Sequence, residues 1–297
     1  MSKVIVSLYG GLGNQLFQYA VGRSISVKNN ASLVLDIAWF EIVDSLKDTT
    51  SRKFMLSSFL IDYEIQTIGL PCQKNNLLKK LLSQFSFLSK LFAKNFFIYN
   101  EKSALFDFDL LNQTGPLWLN GYWQSYKYFD SISEVIRKEI GTIRFLSVSS
   151  QKVLNGIVNC ESICVHVRRG DYVSNANANK VHGLCGVEYY KKAIKLVAEN
   201  LDNPVIYIFS DDPDWVRINL KNPYKTIVVD VNGTEDVCQD LWLMSSCKHF
   251  IIANSSLSWW GAWLSLSENK VVVAPKKWFA NKSYDTSDLI PPDWIRI

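Results

Sequence analysis

The sequence predicts an α/β protein of two βαβ-type halves facing each other across a cleft, and three observations carry that expectation. The chain has 297 residues, and at about 150 residues per domain it divides into residues 1–150 and 151–297. Its opening reads strand, glycine turn, helix, strand. Its second half alternates short β-branched runs with stretches of helical spacing, the pattern of a parallel sheet with right-handed crossovers. Composition removes several other classes. Hydrophobic residues make up 48% and charged residues 20%, enough apolar side chain to bury a core and too few charges for a disordered chain. The net charge of +4, from 32 basic and 28 acidic residues, is too mild for a dedicated nucleic-acid binder and suits a site for one anionic ligand. No apolar run approaches the roughly 18 residues that span a bilayer. The start Met1-Ser2-Lys3-Val4-Ile5-Val6 lacks the length and cleavage site of a secretory signal. Six thinly spread cysteines then read as reduced thiols in a cytoplasm. Cys164 with His166, and Cys247 with His249, raise zinc, but no CxxC pair or HExxH accompanies them, so no metal is expected.

Taken in order, residues 4–8 form a β-branched strand, Gly10-Gly11-Leu12-Gly13-Asn14 a flexible turn, 15–27 an amphipathic helix and 32–36 a second strand. A dinucleotide fingerprint fails here, because its third small residue would fall at Leu16; a nicotinamide enzyme is a weak alternative. Between Gln73 and Asn100 no acidic residue occurs, while Lys74, Lys79, Lys80, Lys90 and Lys94 punctuate leucines and phenylalanines at helical spacing. A core-packing helical hairpin accounts for that stripe; peripheral contact with an anionic membrane is the sharper alternative. Residues 115–125 read as a strand closing the first domain and then a loop, 128–139 as a helix, and polar 147–151 as the boundary region. In the second half, strand 163–167 and a long loop precede helix 187–199. Strand 205–209 leads through Ser210-Asp211-Asp212 to a short helix, and strand 226–229 precedes helix 235–247. Strand 250–253 leads through Asn254-Ser255-Ser256 to helix 257–266, and a last strand, 270–274, ends at Pro275.

Ligands of such sheets bind beyond the carboxyl ends of the strands, and three loops there complement one another. In His166-Val167-Arg168-Arg169-Gly170-Asp171-Tyr172, strand parity puts His166 and Arg168 on one face. Arginine suits planar, bidentate capture of phosphate. Arg169 points the other way and is expected to brace the loop against a carboxylate. In Ser210-Asp211-Asp212-Pro213, a carboxylate can pair with a purine edge, with Arg169 or with a metal, and Asp212 is placed to N-cap a helix that starts at Pro213. Two D-x-D spacings, Asp107-Phe108-Asp109 and Asp212-Pro213-Asp214, are weak evidence for a metal-dependent transferase. In Asn254-Ser255-Ser256-Leu257-Ser258-Trp259-Trp260-Gly261, hydroxyls and free N–H groups at a helix start make an anion site, or Ser255 or Ser256 is a plain cap; one of the two tryptophans is expected to anchor the core. Guanidiniums, a helix N-terminus and a carboxylate together fit a nucleoside diphosphate, whose charge grows as its sugar departs.

Gly10-Gly11-Leu12-Gly13-Asn14-Gln15-Leu16-Phe17-Gln18, Gly121-Tyr122-Trp123-Gln124-Ser125, the His166-to-Tyr172 segment, Phe209-Ser210-Asp211-Asp212 and Asn254-to-Ala262 resemble, in order, the α-1,2-fucosyltransferases of glycosyltransferase family 11. The resemblance implies a GT-B-like fold of two facing Rossmann-like domains, N-terminal acceptor-side and C-terminal donor. It implies inverting transfer of L-fucose from GDP-fucose to the 2-hydroxyl of a terminal galactose on a glycan, without an obligatory metal or other cofactor. Arg168 would hold the diphosphate, with Arg169, Asp212, Gly11 and Gly13 also on the donor. His166 and Asp211 would face the guanine, and Ser255 and Ser256 would cap the phosphates. Asn14 would approach the sugar and pyrophosphate, and Tyr122, Trp123 and Gln124 would lie on the acceptor side. Asp171 is the nearest motif carboxylate to a general base, with bracing of Arg168 or Arg169 as its other role. Tyr126 stands where relatives often carry an acidic residue. A cytoplasmic enzyme, peripheral at the inner face of a bacterial membrane and acting on a surface-polysaccharide precursor, is the implied setting. A transferase using another nucleotide sugar, or a non-catalytic carbohydrate-binding protein, are the rival readings.

Overall fold

The structure, a computed structural model, describes residues 2–43, 52–61, 63–69, 94–170, 173, 180–233, 236–280 and 284–297. Of the basic stretch Gln73 to Asn100, with its helical and membrane readings, the part up to Ala93 lies outside them, as do Asp171 and Tyr172, while its end, Phe97–Asn100, is a strand rather than a helix. The chain divides into two compact units, one of Met1–Ser57, Ile61–Glu139 and Ser287–Leu289, the other of Ser58–Leu60, Ile140–Thr286 and Ile290–Ile297.

The first unit runs β1 (Lys3–Ser7), α1 (Leu12–Lys28), β2 (Ser32–Asp36), α2 (Ala38–Ile42), β3 (Glu64–Gln66), β4 (Phe97–Asn100), α3 (Phe108–Leu111) and β5 (Leu117–Asn120), leading out through α4 (Ser133–Ile140). Its sheet has the order β3-β2-β1-β5-β4, and every pairing is parallel. Central β1 is covered on both faces, so Val4, Ile5 and Val6 are all fully buried, as an inner parallel strand requires. The strand expected to close the domain, β5, is the last of this unit along the chain, and in the sheet it lies inside β4. Helix α1 starts three residues before its sequence-based position, at Leu12, because Gly11 takes the extended N-cap conformation. The helix expected over 128–139 begins only at Ser133. Two short 3₁₀ turns, Tyr126–Tyr128 and Asp130–Ile132, precede it. Tertiary contacts hold those turns: the Tyr128 hydroxyl accepts from the Asp107 amide at 2.8 Å, and Phe129 packs on Phe17.

The second unit runs α5 (Val148–Val158), β6 (Ser162–Val167), α6 (Val187–Ala198), β7 (Val205–Ser210), α7 (Pro213–Asn219), β8 (Lys225–Val229), α8 (Val237–Ser245), β9 (His249–Ile251), α9 (Ser256–Leu264), β10 (Val272–Ala274) and β11 (Ile295–Arg296). The sheet order is β11-β10-β9-β6-β7-β8, again parallel throughout. Residues 147–151 are a cap and first helical turn rather than a linker: the Ser147 hydroxyl accepts from the Ser150 amide and starts α5. Every residue of β6 is buried. Its odd positions Ile163, Val165 and Val167 pack against Tyr190, Ala193, Ile194 and Val197 of α6, a strand of period two meeting a helix of period 3.6. Each such aliphatic side chain contributes about 1.5–3 kcal/mol of burial. Helix α9 is buried all round from Ser258 to Leu264, so Trp259 and Trp260 are both core residues, not one of them alone. Trp259 meets Trp260, Trp263 and Trp294, with ring centroids 5.2, 5.9 and 5.6 Å away.

Candidate functional site

Parallel pairing in the second sheet brings the carboxyl ends of β6, β7 and β9 to one edge, with β6 between the other two. At that edge His166 pairs in register with Phe209, and Val167 with Ser210. The loops that follow form a double ion pair. Arg168 Nη1 lies 2.8 Å from Asp211 Oδ2, and Arg169 Nε donates to Asp212 Oδ2 at 3.0 Å. The Arg169 guanidinium also stacks on Trp215, 4.0 Å from its centroid. The other Asp211 oxygen accepts from the Arg169 backbone N–H at 2.8 Å. Asp211 therefore clamps the loop at two points, and Gly170 leaves room for it: a Cβ there would lie 2.5 Å from Asp211 Oδ2. The bracing expected of Arg169 is present, and its carboxylate is Asp212. Asp212 also caps α7, accepting from the Trp215 amide at 3.1 Å.

His166 is buried, and its Nδ1 has no hydrogen-bond partner among the described residues. Burial pushes its pKa down to about 4; Asp211 opposes that and Arg168 adds to it. The imidazole is accordingly neutral at pH 7, and it sits at the same sheet edge as Arg168. Beyond β9, Asn254 is tied down by its amide, which donates to the carbonyls of His182, Gly183 and Trp278. Ser255 is the N-cap of α9, yet its hydroxyl makes no capping hydrogen bond. The hydroxyl that closes this turn is that of Ser258, donating to the carbonyls of Ala253 and Ser255. Ser255 and half-buried Ser256 thus sit at a helix start whose positive dipole end suits an anion.

In the first unit the glycine turn is built around Gly10, not around Gly11 or Gly13. Gly10 has φ of +80°, and a Cβ there would lie 2.7 Å from Asn14 Nδ2; a Cβ on Gly11 would meet only Arg52, at 3.9 Å. Gly13 is buried in the first turn of α1. Asn14 Oδ1 accepts from Gln124 Nε2 at 2.8 Å. The two following glutamines of the motif are buried clamps that the sequence reading passed over. Gln15 donates to Gly10 O and Lys53 O and accepts from the Met55 amide. Gln18 accepts from the Tyr9 amide and donates to Gly121 O. Trp123 is fully buried between Tyr99 and Tyr128, so neither face of its indole is open for a sugar to stack on. Its backbone is left-handed, φ +55°, a conformation costing a non-glycine residue about 1–3 kcal/mol. Tyr122 is exposed and meets Tyr9 edge-on at 4.9 Å.

Two further carboxylates serve structure. Asp36, at the end of β2 where a dinucleotide enzyme places its ribose carboxylate, is buried and accepts from the amides of Ala38, Ile68 and Gly69 and from the Ser7 hydroxyl. Asp107 caps α3 by accepting from the Asp109 amide, and also binds Lys102 and the Tyr99 hydroxyl. Both D-x-D spacings are helix caps. Cys160, Cys164, Cys185, Cys238 and Cys247 are free thiols, and His249 Nδ1 accepts from the Val271 amide.

Comparison with known proteins places this geometry. The profile of glycosyl transferase family 11 matches residues 3–297. An alpha-1,2-colitosyltransferase of Escherichia coli is 37% identical over 301 residues, covering 100% of this chain and 99% of that protein. The O-antigen biosynthesis glycosyltransferase WbnK of Escherichia coli is 34% identical, covering 98% and 99%. A galactoside alpha-(1,2)-fucosyltransferase 1 of Rattus norvegicus is 23% identical over 86% of this chain and 62% of its own length. Among solved structures, the fucosyltransferase NodZ from Bradyrhizobium superposes with a TM-score of 0.51 at 12% identity, covering 89% of this chain and 93% of that one. An Arabidopsis thaliana FUT1 mutant in complex with GDP gives 0.51 at 10%, covering 89% and 68%. These likenesses show the fold, a GT-B-like pair of parallel-sheet α/β units. No described helix is long and apolar enough to cross a membrane. With a profile match across the whole chain and two relatives above 30% identity along their full lengths, this protein belongs to glycosyl transferase family 11.

Proposed function

We propose that this glycosyltransferase moves L-fucose from GDP-fucose to the 2-hydroxyl of a terminal galactose, inverting the anomeric centre. The observation that carries the reading is the guanidinium of Arg168, fixed by Asp211 at the carboxyl edge of the second sheet beside the neutral His166. As the glycosidic bond of the donor breaks, its diphosphate gains negative charge. A preoriented guanidinium and the open N–H groups at the start of α9 stabilise that charge most in the transition state. His166, with its free Nδ1, serves the guanine; Ser255 and Ser256 serve the phosphates. The second unit is thus the donor domain, while Asn14 and Tyr122 of the first unit act on the sugars. Because this chain supplies its own cations and N–H donors, no metal is required. The α-1,2 linkage in the names of the colitosyltransferase and the rat fucosyltransferase supports the linkage assigned.

The colitosyltransferase also supports a second reading, in which the donor sugar is colitose. Colitose is fucose without its 3-hydroxyl, so the two readings differ by one group on one sugar. A GDP-release assay with GDP-fucose and GDP-colitose across a panel of β-galactosides, with the linkage read by NMR, separates them. Higher kcat/KM for GDP-fucose and a new α-1,2 bond are expected. Preference for GDP-colitose moves the assignment to the second reading, and release of GDP from neither donor overturns both.

A further inference from the structure

Glu101 is used by nothing above, yet it organises the segment that touches Asn14. It stands one residue beyond β4 and continues the sheet: its amide donates to Asn120 O at 2.9 Å. Its two carboxylate oxygens take consecutive backbone N–H groups, Oε2 that of Tyr122 and Oε1 that of Trp123, each at 2.8 Å. Gly121 gives the carboxylate its space, since a Cβ there would lie 2.4 Å from Glu101 Cβ and 3.0 Å from Oε2. The next backbone unit is the left-handed Trp123, and strain of that kind persists only where the surroundings over-determine it. Immediately after it, Gln124 donates its amide to Asn14 Oδ1 at 2.8 Å.

We propose that Glu101 is a positioning residue: it locks the Gly121-to-Gln124 turn so that Gln124 fixes the amide of Asn14 with its N–H donors turned to substrate. With Oδ1 held toward Gln124, the amide turns Nδ2 the other way, a pair of donors that suits an oxygen of the donor sugar or its diphosphate. A flipped amide would present a carbonyl there and repel the same oxygen. The proposal rests on the reading of Asn14 as a group that touches the donor.

The test uses the full chain in a GDP-release assay, with calorimetry of GDP binding in parallel. Glu101→Gln replaces one acceptor by a donor facing an N–H; Gln124→Ala breaks the next link without touching the carboxylate. Each is expected to lower kcat about tenfold, while GDP affinity, carried by the second unit, stays within about twofold. In an Asn14→Ala background, Glu101→Gln is expected to cost less than about twofold more, because residues acting along one path are not additive. A kcat near wild type in both single variants, or full additivity in the double variant, overturns the proposal. Should Glu101→Gln fail to fold, Gln124→Ala with and without Asn14→Ala decides by the same criteria. A donor-independent reading comes from the Asn14 side-chain amide resonance, identified by its loss in Asn14→Ala. Glu101→Gln is expected to shift it, and an unmoved resonance overturns the proposal even if GDP-fucose is not the donor.

Discussion

Arg168 and Asp211 show how closely charge and space are matched at single residues. Replacing Arg168 by lysine keeps the charge but loses the planar fork that Asp211 orients at 2.8 Å. Turnover of Arg168→Lys is expected to fall by about 10²-fold or more, the scale of losing one oxyanion-type donor; near-normal kinetics would remove Arg168 from the leaving-group role. Under the proposed function the charge that builds on the departing diphosphate meets the Arg168 guanidinium, and activity without a metal is the matching expectation. Rates in excess EDTA are expected to match untreated enzyme, and a loss restored by manganese would point to metal-dependent transfer. His166 belongs to this group by geometry: with its pKa near 4 it stays neutral across the working range of such an assay. The identities of these residues were legible from the sequence because they end β-branched strands. Their division of labour was not. On sequence the Asp211 carboxylate is open to a purine edge, to Arg169 or to a metal, whereas in the structure its two oxygens go to Arg168 and to the Arg169 amide, contacts made by residues some forty positions apart.

At the scale of elements, strand and helix periodicity located the βα units within a few residues, and the departures have local causes. A cap moved the start of α1, the helix α5 stands where only a polar boundary was expected, and tertiary hydrogen bonds replaced the first turn of the expected 128–139 helix by 3₁₀ turns. Short edge strands β3 and β11 carry too few residues for a period to show, and their pairing partners supply the reason they are strands at all. The contact of α1 with its sheet is set by Gly22, where a Cβ would lie 2.3 Å from Val6 Cγ2 and 2.9 Å from Leu33 Cδ1. An alanine normally stabilises a helix interior by about 1 kcal/mol over glycine. Overpacking against two strands costs about 1–3 kcal/mol, and here it wins. Gly22→Ala is expected to lower the thermal midpoint by a few degrees with α1 otherwise intact; an unchanged or raised midpoint would show that β1 and β2 yield freely.

For the molecule as a whole, buried titratable groups set opposite pH slopes. Burial pushes the Asp240 carboxyl up to about 6, with the Asn232 hydrogen bond opposing and Asp236 adding. Below pH 4 the carboxyl is protonated folded or unfolded and costs nothing. As pH rises through 6 the folded state must ionise a buried group that the unfolded chain ionises freely, so stability is lost, by an order of about 3 kcal/mol. His166 acts in the other direction: between pH 6.5 and 4 the unfolded chain takes up a proton that the folded chain refuses, so stability falls as pH falls. Asp240→Asn keeps an acceptor for Asn232 and removes the first slope. The variant is expected to exceed wild type in stability at pH 8 and to match it near pH 4 in denaturant titrations. A constant difference at both pH values would show that Asp240 does not titrate as a buried acid.

The sequence by itself determined the class of the fold, the order of its βα units and the loops that carry charge. These are properties of local periodicity and of residue type at strand ends, which need no distant partner to be expressed. Tertiary structure alone decided which side chains are free to act. It withdrew Trp123 into the core and gave Asp36 and Asp107 to backbone amides. It also enlisted Glu101, which no motif marks, to hold a turn about twenty residues away. The physical reason is that a polar atom is available to a ligand only after every buried N–H and C=O around it has been satisfied, and the partners for that come from the whole chain.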